Sequence, residues 1–170
     1  MTGVDDIVGP NLRVLFCGIN PGLLSGRLGQ HFARPGNRFW KLLAASGLTD
    51  RLLMPSEQDE LLGFGVGITN LVGATTATAA ELSVADLRAG APRLEQKAVA
   101  LTPVCVAVLG MQAYRTAFGR PRAAIGRQTE RLGGSMLWLL PNPSGLQAAY
   151  QMSDMIEMWT ELAAATAAGP

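Results

Sequence analysis

Two Asn-Pro turns in the sequence each follow an apolar run directly. GINPG at 18–22 follows LRVLFC at 12–17, and NPSG at 142–145 follows WLLP at 138–141. Proline fixes its own φ and pushes the residue before it towards extended geometry, so the side chain of Asn20 leaves its strand in a defined direction. An asparagine amide donates and accepts hydrogen bonds but takes no proton at neutral pH. A reaction at Asn20 would therefore hold a water rather than deprotonate it strongly, although either turn alone is also compatible with a simple loop.

Two apolar side chains accompany these turns. Phe32 lies in HFARPGNRFW at 31–40, and Leu146 ends PNPSGL at 141–146. An aromatic ring in a loop beside a strand-end pocket can stack on a planar base, or it can simply pack within the loop. A leucine on a tight turn can wedge between stacked bases, or it can be the first core residue of the next helix. The residues alone leave both pairs of alternatives open.

Four short apolar runs predict the strands that carry the turns. They do not alternate with polar residues, as is typical of strands covered on both faces, and they occupy 12–17, 66–71, 104–109 and 136–140. Helix-like stretches separate and follow them, at 37–47, 55–63, 83–90, 111–119 and 153–168. Ser56 with Asp59, and Ser83 with Asp86, are predicted to cap two of these helices. The alternation predicts a three-layer α/β/α sandwich around a short, mainly parallel, four-stranded sheet.

Ligands of such sheets usually bind at the carboxyl ends of the strands. Both Asn-Pro turns are predicted to lie there, and so is Asn70 in GITNLV at 67–72. The GxGxxG and Walker patterns of dinucleotide and phosphate binding do not occur in the sequence. The sequence therefore predicts a strand-end pocket without a phosphate-cradling loop.

The length and composition fit a single domain over residues 1–170. Apolar residues make up 48% and charged residues 16%, which supplies a core at about 10–162, followed by an alanine-rich tail that we expect to fray. Residues 1–10 carry two acids and no basic region, and the longest apolar stretch, at 104–111, is too short to span a bilayer. We expect a monomeric, cytoplasmic protein without a membrane partner. Two cysteines, Cys17 and Cys105, and one histidine, His31, are too few for a protein-held metal or cluster, so no metal and no cofactor are expected.

Basic residues cluster along the chain although the net charge is only +1. No acid occurs from 7 to 49, a stretch that contains Arg13, Arg27, Arg34, Arg38 and Lys41. Between 110 and 135 five arginines face a single acid, Glu130. Such segments can approach a polyanion, although the second is equally compatible with an ordinary solvated surface.

Four stretches together resemble the mismatch-specific uracil-DNA glycosylases, the Mug and thymine-DNA glycosylase family of the uracil-DNA glycosylase superfamily. They are GINPGL at 18–23, FARPGNRFWKLL at 32–43, GITNLV at 67–72 and LPNPSGL at 140–146. The similarity extends from about residue 10 to residue 162, and its specific part is GINPG paired with NPSG. Sister families commonly carry a carboxylate where Asn20 stands, and some hold an iron–sulfur cluster on four cysteines, whereas this chain has two.

The resemblance implies a monofunctional DNA glycosylase that needs no cofactor. Its substrate is double-stranded DNA, from which uracil, preferentially in a G·U mismatch, or a related damaged base is flipped out. The N-glycosidic bond of that base is then hydrolysed, which initiates base excision repair. Because the base leaves as an anion, donors aimed at it can carry much of the catalysis. By similarity Asn20 positions the attacking water, and Asn142 lies beside the scissile bond.

The other implied roles concern the base and the gap that it leaves in the duplex. The residues that the resemblance places around the base are Gly18, Ile19, Pro21, Gly22, Phe32, Asn70 and Ser144. Gly145 and Leu146 match the wedge that fills the gap and senses the partner base. Gln147 and Ala148 follow the wedge where relatives commonly have Ser-Arg, and Leu24-Ser25 stands where they often have two serines. The preferred base and the strictness for guanine therefore stay open.

Three other functions are compatible with parts of the pattern. The domain could be a non-catalytic module that binds extruded bases, or a related glycosylase with another base preference, such as deaminated purines. A hydrolase of free nucleosides or nucleotides would need catalytic carboxylates near the strand ends. The acid-free stretch from 7 to 49 counts against that third alternative.

Overall fold

A five-stranded sheet forms the centre of the protein in a computed structural model that describes residues 3–147 and 149–167. The strands are β1 (Val14–Gly18), β2 (Val66–Asn70), β3 (Cys105–Leu109), β4 (Gly126–Leu132) and β5 (Ser135–Leu140). They lie in the order β2-β1-β3-β5-β4. All neighbours are parallel except β4, which is antiparallel to β5. The carboxyl ends of the four parallel strands therefore meet at one edge of the sheet.

Helices cover both faces of this sheet. They are α1 (Leu23–Leu28), α2 (Phe39–Ala45), α3 (Val84–Leu101), α4 (Met111–Phe118) and α5 (Met152–Thr166), with 3₁₀ helices at Pro55–Phe64 and Ala79–Glu81. The core side chains of α2 and α5 pack on one face, and those of α3 and α4 pack on the other. The predicted three-layer α/β/α sandwich is therefore confirmed. Over the described residues, no helix is both long and apolar enough to cross a membrane.

The predicted strand count of four is wrong, because the sheet has a fifth strand, β4. Its sequence, GRQTERL, alternates between half-buried and exposed side chains, and only its last residue, Leu132, is buried. A strand at the sheet edge is buried on one face at most and needs no apolar run, so apolar runs alone do not predict it. Gly133 and Gly134, with φ of 55° and 88°, form the tight connection to β5. This Gly-Gly pair was the local signal for a hairpin.

One of the two predicted helix caps is confirmed and the other is wrong. Ser83 Oγ accepts a hydrogen bond from the Asp86 N–H at 3.0 Å, and Asp86 Oδ2 accepts from the Ser83 N–H at 2.9 Å. In the segment at 55–63, Ser56 does not cap the helix, which is a 3₁₀ helix beginning at Pro55. The carboxylate of Glu57, rather than Asp59, reaches back to the Met54 N–H at 2.8 Å. With proline at its first position, the helix starts two residues earlier than the Ser-x-x-Asp pattern predicts.

An aromatic cluster anchors α2 to the sheet. Phe16 of β1 stacks on Trp159 of α5 with ring centroids 4.7 Å apart, and Phe39 meets Phe16 edge-on at 5.4 Å. Phe39, Leu42 and Leu43 are all fully buried, which confirms the predicted apolar face of this helix. The start of α2 is therefore held rigidly beside the end of β1.

Candidate active site

A cavity of about 620 Å³ opens at the carboxyl ends of the strands. Ten of the eleven residues that the sequence predicted for the site line it, namely Gly18, Ile19, Asn20, Pro21, Gly22, Phe32, Asn70, Asn142, Ser144 and Leu146. The eleventh, Gly145, lies against Gly36 just outside the lining. Among the described residues that line the cavity, none is Asp or Glu. The cavity therefore offers amides, hydroxyls, rings and two arginines to a ligand.

The amide of Asn20 is oriented by hydrogen bonds from its nitrogen. Nδ2 donates to the carbonyl oxygen of Ala74 and to Oγ1 of Thr76, both at 2.8 Å. The Thr76 hydroxyl donates its own proton to the Thr78 carbonyl at 2.8 Å, so it acts towards Asn20 as an acceptor. The nitrogen of Asn20 is thus turned towards the protein. Oδ1 is the atom with which this side chain can accept a hydrogen bond from a ligand.

The side-chain amide of Asn142, which follows β5, is oriented the other way round, with its oxygen bonded within the protein. Its Oδ1 accepts a hydrogen bond from the backbone N–H of Ser144 at 3.0 Å, which closes an Asx turn. Ser144 Oγ in turn accepts from the N–H of Leu146 at 3.2 Å. The turn uses the amide oxygen and leaves Nδ2, with its two N–H donors, available to a ligand. The cavity therefore combines an amide acceptor at Asn20 with an amide donor at Asn142.

Phe32 forms an aromatic wall of the cavity. Its φ of +50° lies in a region that costs a bulky residue about 1–3 kcal/mol and that is common at functional sites. The ring stacks on Phe39 with centroids 4.1 Å apart and planes 21° apart. Phe39 belongs to the fully buried core, so it supports Phe32 from one side. The half-buried Phe32 ring is packed, and it is also available to stack on a planar ligand.

The floor of the cavity is formed by the paired ends of β1 and β2. Gly18 lies opposite Asn70 in the strand register. A Cβ at Gly18 would lie 2.7 Å from Asn70 Oδ1 and 3.3 Å from Phe32 Cζ. Glycine at this position therefore lets both side chains lie across the end of β1. We expect any larger residue at 18 to displace the Phe32 ring.

Leu146 projects from a loop that we call the wedge loop, residues 143–147. Its side chain is 70% exposed and lines the cavity. The alternative that Leu146 begins the core of the next helix is wrong, since α5 starts only at Met152. Gln147 Oε1 accepts hydrogen bonds from the N–H groups of Ala149 and Tyr150, so this side chain closes the loop. Ala148, the other residue at which the chain departs from the family pattern, lies outside the described residues.

Several lining residues were not predicted as part of the site, namely Leu23, Leu24, Ser25, Arg27, His31, Arg34, Asn37, Thr76, Ala77, Thr78, Ala79 and Leu109. Thr76 matters most because it orients Asn20. It reaches the cavity because the chain returns after β2 and pairs with Gly22, a contact between distant segments. No local pattern signals that return. Ser25 is buried and its Oγ accepts from the Ala33 N–H at 3.1 Å, which ties α1 to the loop that carries Phe32.

His31 is buried beside Phe32 in a neutral state. Burial lowers the pKa of His31 below its ordinary value of 6.5, and the hydrogen bond at 2.7 Å to the Asp5 carbonyl opposes this only in part. The unfolded chain therefore binds a proton at a higher pH than the folded protein does. It follows that the contribution of His31 to the free energy of unfolding should be constant above about pH 7 and should fall as the pH drops through 6.5.

This pH dependence can be measured by urea unfolding at pH 7.5 and pH 5.5, with His31→Asn as the comparison. Because His31 is the only histidine of the chain, the free energy of unfolding of the variant should be nearly the same at the two pH values. The pKa values of Glu57 and Asp86 are lowered by hydrogen bonds from the Met54 and Ser83 N–H groups, so these carboxylates affect stability only below the pH range tested. An equal drop in both proteins would contradict the assignment.

The two cysteines lie away from this chemistry. Cys17 and Cys105 are both buried and free, and burial raises the pKa of each thiol. Inert, protonated thiols of this kind fit the predicted role of small apolar core residues. Within residues 3–147 and 149–167, no three His, Cys, Asp or Glu side chains are grouped so that they could hold a metal ion.

Fold and site together define an α/β protein with a pocket at its strand ends, whose described lining contains amides and arginines but no carboxylate. The family model of the uracil DNA glycosylase superfamily matches residues 6–163. The chain therefore belongs to the uracil DNA glycosylase superfamily, whose activity class is that of DNA glycosylases.

The fold is similar to that of a candidate uracil DNA glycosylase from Methanosarcina acetivorans, solved by solution NMR. The TM-score is 0.56 and the sequence identity 18%, over 95% of this chain and 97% of that chain. At this level of identity the similarity concerns the fold alone.

Proposed function

We propose that the protein is a monofunctional DNA glycosylase of the Mug-like, mismatch-specific branch of its superfamily. It removes uracil, or a related damaged base, from double-stranded DNA, preferentially opposite guanine, and so begins base excision repair in the cytoplasm as a monomer. The observation that carries the proposal is the pairing of Asn20 and Asn142 in one cavity, with amides of opposite polarity and no carboxylate among the described lining residues.

The amide of Asn20 suits a reaction in which the bond to the base breaks before water attacks. Oδ1 accepts a hydrogen bond from the water and fixes its position, but it cannot remove a proton at neutral pH. The water therefore becomes a competent nucleophile only when the sugar has developed positive charge. The hydrogen bonds from Asn20 to Ala74 and Thr76 prevent the amide from turning its nitrogen to the water.

The departing base carries the negative charge that develops in the same step. Donors from Asn142 Nδ2 and from backbone N–H groups near the end of β1 stabilise this charge most strongly in the transition state. Phe32 stacks on the extruded ring and holds its plane against Phe39. Such an enzyme depends on positioned dipoles, so the absence of Asp and Glu among the described lining residues is consistent with slow hydrolysis.

Leu146 is proposed to fill the gap that the extruded base leaves. Leu146→Ala is expected to slow base release from duplex DNA about 30-fold, since inserting the leucine between bases buries apolar surface worth about 2 kcal/mol. Release from single-stranded DNA should change little, because no gap exists there. Single-turnover rates on matched duplex and single-stranded substrates test this. Leu28→Ala, which truncates a leucine that is 50% exposed but not part of the cavity, is the control. Equal loss on both kinds of DNA would remove the wedge role.

Arg27 and Arg34 are both exposed and both line the cavity, where they can reach the phosphates beside the extruded nucleotide. Replacing either arginine by glutamine should reduce the slope of log Kd against log salt by about 0.9, the value for one lost phosphate contact. Fluorescence anisotropy with a duplex that carries an abasic-site analogue measures this slope without turnover. Arg122→Gln removes an exposed arginine outside the cavity lining and should leave the slope unchanged. The same slope in all variants would rule out these phosphate contacts.

The proposed function is tested by base release from duplexes carrying G·U, A·U, G·hypoxanthine and G·xanthine, and from single-stranded uracil DNA. We expect strand breaks only after alkali, fastest for G·U. Tight binding without release of any base would instead favour a non-catalytic module. Faster release of hypoxanthine or xanthine than of uracil would favour a glycosylase for deaminated purines.

A further inference from the structure

One side chain, Arg38, makes hydrogen bonds to four backbone carbonyls in or next to the wedge loop. Its guanidinium donates to Ser144 and Tyr150 at 3.0 Å, to Gln147 at 3.1 Å and to Pro143 at 3.4 Å. The backbone N–H of Arg38 also donates to the Pro143 carbonyl, at 2.9 Å. The positive charge of Arg38 is thus directed at the protein itself, in contrast to the exposed Arg27 and Arg34.

The wedge loop needs such a partner because it belongs to no helix or strand. Backbone carbonyls that turn inward in an irregular segment require donors from elsewhere in the protein. A guanidinium carries five N–H donors in a rigid, planar fork, whereas an ammonium has three donors on a flexible stem. The contacts of Arg38 therefore specify a loop geometry that a lysine at the same place cannot reproduce.

Arg38 is itself held firmly. It immediately precedes α2, whose first residue, Phe39, is fully buried and stacks on Phe32. The loop backbone also rests on the segment before this helix, since a Cβ at Gly145 would lie only 2.6 Å from the Gly36 carbonyl oxygen. The start of α2 therefore supports both the aromatic wall of the cavity and the loop that carries Leu146.

We propose that Arg38 is a positioning residue that holds the wedge loop in the shape in which Leu146 enters the duplex, at a fixed distance from a base stacked on Phe32. It acts through the loop carbonyls and touches neither the base nor the sugar. The inference rests on the proposed function for its DNA substrate. Beyond that function, it assigns to Arg38 the role of coupling extrusion of the base to insertion of Leu146.

The test compares Arg38→Ala and Arg38→Lys with the wild type in three measurements. Lys41→Ala removes an exposed cation one turn further along α2 and is the matched control. Hydrogen exchange of the free protein follows the amides at 144–147. The fluorescence of 2-aminopurine next to an abasic-site analogue reports wedge insertion without turnover. Single-turnover base release is measured on G·U duplex and on single-stranded uracil DNA.

We expect Arg38→Ala to speed exchange in the wedge loop and not in the sheet, and to reduce the 2-aminopurine response to that of Leu146→Ala. The ratio of duplex to single-strand rates should fall about tenfold or more, as is typical when hydrogen bonds to a charged group are lost. Added guanidinium ion should restore part of this ratio, Arg38→Lys should restore little, and Lys41→Ala should change nothing. In the double variant Arg38→Ala/Leu146→Ala, the ratio of duplex to single-strand rates should fall by less than the product of the two single effects.

Unchanged exchange and an unchanged 2-aminopurine response in Arg38→Ala would overturn the inference, and so would an equal loss of rate on both kinds of DNA. Should Arg38→Ala fail to fold, Arg38→Lys must show the selective loss on duplex DNA, or the inference fails. If the wild type inserts its wedge but releases no base, the proposed function fails. The 2-aminopurine fluorescence of the wild type and Arg38→Ala still shows in that case whether Arg38 affects insertion of the wedge, because it requires no turnover.

Discussion

Asn20→Ala is expected to reduce base release at least about a hundredfold, as is typical when a reactant loses its fixed position. Binding of DNA should change no more than about threefold, because the substitution removes one hydrogen bond to a water and none to a phosphate. The physical reason lies in the amide of Asn20. Its nitrogen is held by Ala74 and Thr76, and its oxygen is the acceptor that orients the water.

The measurement pairs single-turnover rates with binding to a duplex that contains 2′-fluorinated deoxyuridine. The fluorine destabilises the cation-like sugar, so the complex persists without cleavage. Gln112→Ala removes an exposed side-chain amide outside the cavity and should alter neither quantity. If Asn20→Ala lost binding and turnover to the same extent, Asn20 would be a ligand for DNA rather than for water.

Asn142→Asp should slow base release by about 10²–10³-fold at pH 7.5, the usual effect of losing a preorganised donor. The substitution keeps an oxygen that can accept from the Ser144 N–H, so the Asx turn persists. It replaces Nδ2 with a second oxygen whose negative charge faces the departing anion. A protonated carboxyl can donate again, so the rate of the variant relative to the wild type should rise as the pH falls.

A pH profile of single-turnover release for Asn142→Asp and the wild type separates this role from a structural one. A damaged loop would lower the rate by the same factor at every pH. Full activity of Asn142→Asp at pH 7.5 would show that Asn142 donates no hydrogen bond to the base.

The parts of the fold that depend on local patterns were predictable from the sequence. Apolar runs marked the four parallel strands, and the helical spacing of Phe39, Leu42 and Leu43 marked the buried face of α2. Strand β4 was missed because its side chains alternate between half-buried and exposed positions at the edge of the sheet. Its sequence therefore contains no apolar run. The short helix α1 was missed because its six residues, LLSGRL, leave Leu23 and Leu28 exposed.

The candidate site was predictable to the extent that it lies at strand ends. The two Asn-Pro turns marked Asn20 and Asn142, and ten of the eleven predicted residues line one cavity. The polarity of each amide was not predictable, because it depends on partners distant in sequence, such as Thr76 for Asn20. The same holds for Arg38, which is more than 100 residues from the carbonyls that it binds. Contacts of this kind leave no mark in a local pattern.

The most direct test of the proposed activity is to identify the products formed from a G·U duplex. We predict free uracil in a one-to-one ratio with an unbroken strand that carries an abasic aldehyde, and no protein–DNA adduct after borohydride treatment. In the same reaction Asn20→Ala should form both products at least about a hundredfold more slowly. A bound duplex that releases no uracil would contradict the assignment as a glycosylase. A borohydride-trapped adduct would show that an amine of the protein, rather than a water held by Asn20, attacks the sugar.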